Sequence, residues 1–264
     1  MKRIFLLLAL VSSILTYASS PKGIGVFSVS ADKQVTFSSG NLQYNPASNQ
    51  WRFASNQTEL IGGAANHQIA VDYDGWLDLF GWSTGFTYFG VSTSTNSEDY
   101  GGAFVDWGMN VIGVDTTNTW RTLSADEWRY VLGGRANASR LMGVGVVNGV
   151  NGLILLPDDW RCPAGVIFKS GFAEGNGAES FGKHQSFTQE HWLKLESLGA
   201  VFLPASGSRY GSDVYYVQDY GGYWSSTPCD SDDAWNVYIG AGEASMNYDS
   251  RGYGLSVRLV KDLQ

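Results

Sequence analysis

The chain has 264 residues, of which 33 are glycine, 10 tryptophan and 14 tyrosine, whereas only 16% are charged. This composition is typical of a loop-rich fold with aromatic packing and excludes a helical bundle. The formal net charge of -8 argues against nucleic acid as a partner, because a polyanion is normally met by a basic face. An acidic surface favours cationic partners or bound calcium instead.

The first twenty residues contain the three parts of a secretory signal peptide. Lys2 and Arg3 form a basic start, residues 4–15 an almost unbroken apolar run, and residues 16–20 a small-residue stretch suited to cleavage. The apolar run is too short to span a membrane, and no later segment is apolar enough to do so. Loss of the two basic residues takes the net charge from -8 to -10. We therefore expect an exported domain, residues 21–264, without membrane insertion after cleavage, in the periplasm, on the outer surface or in the medium.

The N-terminal part of the mature chain predicts short strands and long loops. Residues 26–30 and 34–37 form two apolar runs around a polar turn at residues 31–33, as in a β-hairpin. Residues 51–53 and 75–82 are aromatic islands within polar sequence. Such islands pin long loops onto a core, and we expect that role here in preference to an exposed aromatic platform.

The middle of the chain predicts two helices around a hairpin. Ser124 and Glu127 are spaced as a capping box, and Trp128, Val131 and Leu132 would form the buried face of the helix that follows. Residues 144–147 and 153–156 are apolar runs joined by a turn-rich connection at residues 148–152. A second helix is predicted from a Thr188 cap to about Leu198, with Trp192, Leu195 and Leu198 on its buried face and a stop at Gly199.

From residue 200 onward the pattern is all β, because short apolar runs alternate with Gly, Ser and Asp. Strands followed by two helices and then more strands indicate an α+β fold. Neither a repeat of 20 to 50 residues nor a Pro-rich or Ser-rich linker occurs, so we expect one domain. The predicted strands cover residues 200–203, 214–217, 223–226, 234–239, 243–246 and 255–260.

Groups that could carry catalysis are few, and we predict no catalytic residue. Two acidic stretches are the best metal candidates, because calcium prefers several oxygen ligands from one loop; the alternative is a pair of solvated loops. Cys162 and Cys229 fit no metal motif. In an exported chain they either form a disulfide or remain free thiols, with Cys162 buried. The calcium candidates are Asp72 and Asp74 in the first acidic stretch and Asp230, Asp232 and Asp233 in the second.

Residues 206–254 have an unusual composition. They contain eight of the 14 tyrosines, together with eight serines, eight glycines and six aspartates, but no lysine. Tyrosine gives a large contact area at low entropic cost, while Ser, Gly and Asp add adaptable polar contacts, as in an antibody paratope. The composition is equally compatible with ordinary edge strands and loops of a β-rich domain.

Three stretches resemble a known family: residues 120–128, with the sequence WRTLSADEW, residues 156–165, with the sequence LPDDWRCPAG, and a pair of C-terminal strands. The pair combines Trp224-Ser225-Ser226 with a Gly-x-Ser-Val-Arg sequence that begins at Gly254. Together they resemble the exported "major paralogous domain" proteins of Bacteroidetes and Fibrobacter, whose relatives have a C-type-lectin-like fold. The same end motif is similar to variable proteins of diversity-generating retroelements, in which a lectin-like scaffold displays mutable residues between fixed strands.

The resemblance implies a two-helix lectin-like domain with a mixed, mainly antiparallel sheet, which is also the fold of the formylglycine-generating enzymes. Trp224, Trp235 and Arg258 would belong to the scaffold. A protein or glycan on another cell or surface would be bound through the C-terminal loops. The displayed contact residues would be Asp213, Tyr215, Tyr216, Asp230, Asp232, Asn236, Tyr238, Asn247, Tyr248 and Asp249.

The sequence departs from two branches of this fold. Calcium-dependent sugar-binding lectins carry Glu-Pro-Asn or Gln-Pro-Asp and a Trp-Asn-Asp; here Val237 follows Trp235-Asn236, and neither tripeptide occurs. Formylglycine-generating enzymes need two active-site cysteines near the C-terminal end, whereas Cys162 lies far upstream. We therefore expect a non-enzymatic recognition module without a required cofactor. The alternatives are a structural, adhesive component of a surface fibre and a divergent enzyme of the formylglycine-generating type.

Overall fold

The computed structural model describes residues 23–82 and 88–263. The predicted signal peptide, residues 1–20, lies outside the described residues. The fold is α+β, with four short α-helices and mainly antiparallel sheets in the described chain. Within those same residues, no helix is long and apolar enough to cross a membrane.

The strands form five small sheets in the described residues. Their orders are β1-β2-β14, β3-β4, β7-β5-β6-β8, β10-β9 and β11-β12-β13, and only the β5–β7 pair is parallel. The strands are β1 Phe27–Ser28, β2 Gln34–Phe37, β3 Leu42–Asn45, β4 Gln50–Phe53, β5 Met142–Val147, β6 Val150–Leu155, β7 Ser186–Phe187, β8 Val201–Pro204, β9 Ser208–Tyr210, β10 Asp213–Tyr215, β11 Gly221–Pro228, β12 Asp233–Gly240, β13 Glu243–Ser250 and β14 Val260–Asp262.

Helices are short and scattered between the sheets. The α-helices are α1 Gly63–Asn66, α2 Ala125–Arg129, α3 Ala178–His184 and α4 Gln189–Glu196. A π-helical turn, Tyr130–Gly134, extends α2. Short 3₁₀ turns occur at Tyr88–Gly90, Ser97–Tyr100, Trp107–Met109 and Ala138–Arg140.

The N-terminal predictions are confirmed in part. Strands β1 and β2 pair as an antiparallel hairpin around the predicted turn. Trp51 is in strand β4, not in a loop as predicted, and its ring lies in the core with Phe80. Strands β3 and β4 have only four residues each, so an alternating apolar pattern is too short to be recognised in the sequence. Leu77, Leu79, Phe80 and Trp82 are all buried, so the second aromatic island pins its segment onto the core as expected.

The capping box at α2 is present. Ser124 Oγ accepts from Glu127 N at 3.2 Å, and Glu127 Oε2 accepts from Ser124 N at 2.9 Å. Arg121 Nη1 donates to the same Glu127 carboxylate at 2.7 Å, which lowers the net cost of burying the charge. Trp128, Val131 and Leu132 are buried, and the helical segment ends at the predicted glycines, so this prediction is confirmed.

Replacing Ser124 with alanine is expected to lower the free energy of unfolding by about 1 kcal/mol, because one orphan N–H group of α2 loses its acceptor. Urea unfolding of the mature chain followed by tryptophan fluorescence measures the change. Ser139, an exposed residue in another helical turn, provides the control, and Ser139→Ala should change stability by less than about 0.5 kcal/mol. Equal stability of wild type and Ser124→Ala would contradict the capping role.

The predicted hairpin exists, but its turn is tighter than expected. Strands β5 and β6 pair from Met142 opposite Leu155 to Val147 opposite Val150, which leaves Asn148 and Gly149 as the only turn residues. Both have positive φ, 49° and 82°, as a type I′ turn requires. Residues 150–152, predicted as part of the connection, therefore belong to strand β6.

The second predicted helix is confirmed as α4, and a further helix precedes it. Thr188 caps α4 by accepting from His191 N at 3.3 Å, and Trp192 and Leu195 are buried. Leu198 lies beyond the end of the helix and is exposed, so its predicted place on the buried face is wrong. Helix α3 was not predicted, because its seven residues include glycine and only one buried apolar side chain, Phe181.

Strands β11, β12 and β13 form a sheet with two different faces. Val237 and Ile239 on β12 belong to the same buried cluster as Trp128 of α2, and Arg129 of α2 lies over the Trp235 ring at 4.5 Å. The residues that alternate with these on β12 and β13 point away from α2. That opposite face carries the candidate site described below.

The last predicted strand, residues 255–260, is mostly wrong. Only Val260 belongs to a strand, β14, while residues 255–259 are extended and cross between sheets. Four of these residues bond to different segments of the chain, so no single ladder forms. Leu255 N donates to Phe80 O, and the carbonyl oxygens of the segment accept from three separate residues. The donor–acceptor pairs are Trp224 N with Ser256 O, Leu42 N with Val257 O and Ser38 N with Leu259 O.

Candidate functional site

A cleft of about 460 Å³ opens on the face of β12 and β13 that points away from α2. We call it the tyrosine cleft, because four of its lining residues are tyrosines. The lining residues are Asn176, Gly177, Ser208, Tyr216, Asp219, Tyr220, Tyr238, Gly240, Ala241, Gly242, Glu243, Asn247, Asp249 and Tyr253.

Strand register explains why these residues meet. Tyr238 pairs with Ser245 and Asn236 with Asn247, so the alternate residues of both strands share the cleft face. Gly240 allows the Tyr238 ring to fold along the strand, since a Cβ at Gly240 would lie 2.9 Å from the Tyr238 hydroxyl. A side chain at position 240 would therefore displace a tyrosine of the cleft.

The connection between β10 and β11 forms another wall and is held firmly. Tyr216 and Gln218 have left-handed backbone conformations, with φ of 60° and 70°. Asn151 fixes this turn, because its backbone N donates to Gln218 Oε1 at 2.7 Å and its Nδ2 donates to Gln218 O at 2.6 Å. Left-handed non-glycine residues cost about 1–3 kcal/mol and persist only where the surroundings hold them. The cleft is therefore preformed on this side.

The tyrosine rings make a continuous ladder from solvent into the cleft. Tyr215 and Tyr216 have ring centroids 6.2 Å apart, Tyr216 and Tyr220 are also 6.2 Å apart, and Tyr220 stacks on Tyr238 at 5.1 Å. Tyr216 is 64% exposed, whereas Tyr220 and Tyr238 are half-buried. The ladder offers aromatic faces and hydroxyl groups to a ligand that enters the cleft.

Carboxylates give the cleft a negative potential. Burial raises the pKa of Tyr238, and the neighbouring Glu243 and Asp219 raise it further. Burial also raises the pKa of Tyr220, with a smaller contribution from Asp249. Burial raises the pKa of Asp249 itself, while the hydrogen bond from Asn236 Nδ2 to Asp249 Oδ2, at 3.0 Å, opposes that shift.

The structure brings together some of the ten predicted contact residues and separates others. Tyr216, Tyr238, Asn247 and Asp249 line the cleft. Tyr215 and Asp213 lie beside it on β10, where the Tyr215 hydroxyl donates to Asp213 Oδ2 at 3.4 Å. Tyr248 is exposed, but it alternates with Asn247 and Asp249 and packs against Trp235 at 5.7 Å on the opposite face of the sheet.

The prediction that Asn236 is a displayed contact residue is wrong. Its side chain is fully buried beneath the floor of the cleft, opposite Asn247 on the neighbouring strand. Strand β12 is the central strand of a sheet that packs on both faces, so residues that point to either face are buried. The polarity of Asn236 was therefore a misleading sign of exposure. Trp224 and Arg258 are buried, as expected of scaffold residues, whereas Trp235 is half-buried.

The acidic stretch at the start of β12 is separate from the tyrosine cleft. Asp230 Oδ1 accepts from the backbone N of Asp232 and of Asp233, both at 2.8 Å, as in a turn that satisfies its own backbone. Arg251 Nη2 donates to Asp230 O. In the described residues no group of three or more His, Cys, Asp or Glu side chains is placed to hold a metal ion, and this applies to Asp72 and Asp74 as well.

The two cysteines are free thiols, not a disulfide. Cys162 is exposed, so the expectation that it is buried is wrong. The reason is its position in an irregular segment, where its Sγ donates to Val166 O at 3.2 Å, while Trp160, Val166 and Phe168 make the contacts with the core. Neither thiol lines the tyrosine cleft.

Several cleft residues were missed by sequence reasoning. Tyr220, Tyr253 and Asp219 lie within the tyrosine-rich segment, but nothing distinguished them from their neighbours. Asn176 comes from the loop before α3 and approaches Gly242 closely. A Cβ added at Gly242 would lie 2.6 Å from Asn176 Oδ1. No local pattern could have assigned Asn176 to the site, because its contact is long-range.

One known family matches part of the chain. The sequence profile of a domain of unknown function, DUF8237, matches residues 175–260. This range contains every residue that lines the tyrosine cleft. The chain matches no curated protein and no solved structure. The matched range therefore contains the sheet β11-β12-β13 and its cleft, together with helices α3 and α4 and strands β7 to β10.

Proposed function

We propose that this protein is an exported, non-enzymatic recognition module that binds its ligand in the tyrosine cleft. The observation that carries the proposal is the ladder of four tyrosines leading from the exposed Tyr215 to the half-buried Tyr238. Exposed aromatic rings that continue into a concave site are the usual anchors of recognition surfaces. The signal peptide predicted from residues 1–20 would place this surface outside the cytoplasm.

Preorganisation supports a binding role. The tyrosines have few rotatable bonds, and the Asn151 hydrogen bonds hold the turn that carries Tyr216 and Tyr220. A ligand therefore has little side-chain and loop entropy to remove on binding. No His or Cys occurs among the described residues that line the cleft, and this composition supports binding over nucleophilic chemistry by a thiol or an imidazole.

The proposed scaffold is a C-type-lectin-like domain similar to the exported major paralogous domain proteins and to retroelement variable proteins. The position of the cleft supports this resemblance. Of its 14 lining residues, eight lie between the Trp224-Ser225-Ser226 strand and the sequence that begins at Gly254, where such proteins display contact residues. They are Tyr238, Gly240, Ala241, Gly242, Glu243, Asn247, Asp249 and Tyr253.

The proposal is tested by probing protein and glycan arrays with residues 21–264 and repeating the measurement with variants. Tyr216→Ala combined with Tyr238→Ala should weaken binding of any array ligand by at least about a hundredfold, since anchor residues each contribute about 2 kcal/mol or more. Tyr248→Ala is the matched control, because Tyr248 is an exposed tyrosine on the opposite face of the same sheet.

Binding that survives in the double variant, or that disappears in Tyr248→Ala alone, would contradict the assignment of the ligand to the cleft. Circular dichroism and thermal unfolding of both variants separate a loss of contact from a loss of fold. Tyr216 is the safer of the two cleft substitutions for this purpose, because 64% of its surface is already exposed.

A further inference from the structure

The tyrosine cleft has the chemistry of a site for a positively charged, planar group. We propose that its occupant is an arginine side chain of a protein partner. This inference rests on the proposed function and names the chemical class of the ligand. It is carried by the charge of the lining, by the aromatic faces and by one buried acceptor that lacks a donor.

The lining is anionic and has no compensating cation. Asp219, Glu243 and Asp249 contribute three carboxyl groups, whereas the lining residues include neither Lys nor Arg. Ser208 reaches the cleft from strand β9, but the next residue, Arg209, is buried elsewhere and donates to Gly211 O at 2.7 Å. A cation would gain from the negative potential of these carboxylates, whereas a neutral ligand would not.

The aromatic faces favour a guanidinium among cations. A planar guanidinium stacks on an aromatic ring and simultaneously forms paired hydrogen bonds to a carboxylate. Tyr238 and its carboxylate neighbours Asp219 and Glu243 offer both features together. The same stacking of a guanidinium on an aromatic ring occurs within this chain, since Arg52 lies over Trp76 at 3.9 Å and Arg129 over Trp235 at 4.5 Å.

A buried acceptor beneath the cleft supports a ligand with N–H groups. Asn236 is fully buried, and its Oδ1 has no hydrogen-bond partner among the described residues. The amide orientation is fixed, because its Nδ2 donates to Asp249 Oδ2 at 3.0 Å and the carboxylate cannot donate in return when ionised. Buried acceptors are rarely left unpaired in folded proteins. Asn236 does not itself line the cleft, so a ligand N–H group supplies the missing donor only by entering beneath the present floor, between Asn247 and Asp249.

The test uses small probes of matched shape and residues 21–264 labelled with ¹⁵N. N-acetylarginine amide should shift the resonances of Tyr238 and Asp249 and saturate at millimolar concentration, and added salt should weaken its binding. N-acetylcitrulline amide has nearly the same shape without the charge and should cause no saturable shift. Methyl glycosides, the probes for a glycan ligand, should also cause none.

Charge variants provide the second part of the test. Asp219→Asn combined with Glu243→Gln should weaken N-acetylarginine amide binding by about tenfold, as expected for two partly exposed ion pairs. Asp72→Asn combined with Asp159→Asn removes the same net charge from exposed positions outside the cleft and should leave binding unchanged.

Three outcomes would overturn the inference. They are equal binding of the citrulline and arginine probes, binding of methyl glycosides without the arginine probe, and equal losses in the two charge variants. If the arginine probe fails while an array ligand still depends on Tyr216 and Tyr238, the arginine assignment falls and the proposed function stands. If the array ligand is insensitive to those tyrosines, the proposed function itself falls.

Discussion

Replacing Arg258 with methionine is expected to lower the free energy of unfolding by about 3 kcal/mol, the largest single effect that we predict for this chain. Arg258 is only 1% exposed. Its Nη1 donates to Asn41 Oδ1 at 3.1 Å, and its Nη2 donates to Gln57 Oε1 at 2.5 Å and to Phe202 O at 2.9 Å. The residue therefore ties the C-terminal segment to the N-terminal loops and to strand β8.

Two opposing effects determine the size of the change. Burial lowers the pKa of Arg258 to about 10, so removal of the charge relieves a desolvation cost. Methionine fills a similar volume but donates no hydrogen bond, and each buried acceptor left without a donor costs about 1–3 kcal/mol. Asn41 Oδ1 and Phe202 O lose the charged donor, while Gln57 Oε1 keeps a bond from Phe202 N at 2.8 Å. The lost bonds outweigh the relief.

Urea unfolding of residues 21–264, followed by tryptophan fluorescence, measures this change for Arg258→Met. Arg140→Met is the control, because Arg140 is exposed, and it should alter stability by less than about 0.5 kcal/mol. A loss below about 1 kcal/mol in Arg258→Met would mean that relief of desolvation balances the hydrogen bonds, and the proposed scaffold role of this residue would then be wrong.

Local sequence signals predicted local structure well. The capping box at Ser124, the cap at Thr188 and the β5–β6 hairpin all depend on residues a few positions apart, and each is present. The extended segment 255–259 shows the limit of the same reasoning. Its apolar alternation resembles a strand, but its hydrogen-bond partners lie in several separate elements, and no pattern within the segment specifies that arrangement.

The candidate site was only partly predictable, because strand register decides which side chains share a face. Composition indicated the right segment, and four of ten predicted residues line the cleft. The strand predicted to end at residue 246 continues to Ser250, so the alternation that separates Tyr248 from Asp249 was not apparent. Asn236 is polar yet buried, and its place became clear only from the pairing with Asn247.

Between pH 4 and pH 7, wild type is expected to lose about 2 kcal/mol of stability relative to an Asp78→Asn variant. Asp78 is buried, with Oδ1 accepting from Asn66 Nδ2 at 2.7 Å and Oδ2 from Ile61 N at 3.0 Å. Among the described residues no Lys or Arg forms an ion pair with it. Burial raises its pKa from 3.8 to about 6, and the nearby Glu59 adds to the shift.

The direction in which stability changes with pH follows from proton binding to the folded and unfolded states. Because the pKa of Asp78 is higher in the folded state than in the unfolded state, the folded state binds the proton more tightly between pH 4 and pH 6. The stabilisation is therefore complete below about pH 4 and is lost as the pH rises through about 6. The amide that replaces the carboxyl group in Asp78→Asn cannot titrate. This variant should therefore be the less stable protein at pH 4 and should approach or exceed wild-type stability at pH 7.

Urea unfolding of both proteins at half-unit steps of pH gives this difference directly. Asp262→Asn is an informative control, because hydrogen bonds from Arg121 lower the pKa of Asp262 below 3.8. The contribution of Asp262 is present above that pH and is lost only in stronger acid, so the difference between wild type and Asp262→Asn should stay constant from pH 4.5 to 7. A constant difference for Asp78→Asn over the same range would show that Asp78 stays ionised throughout, and that Asn66 and Ile61 offset its burial.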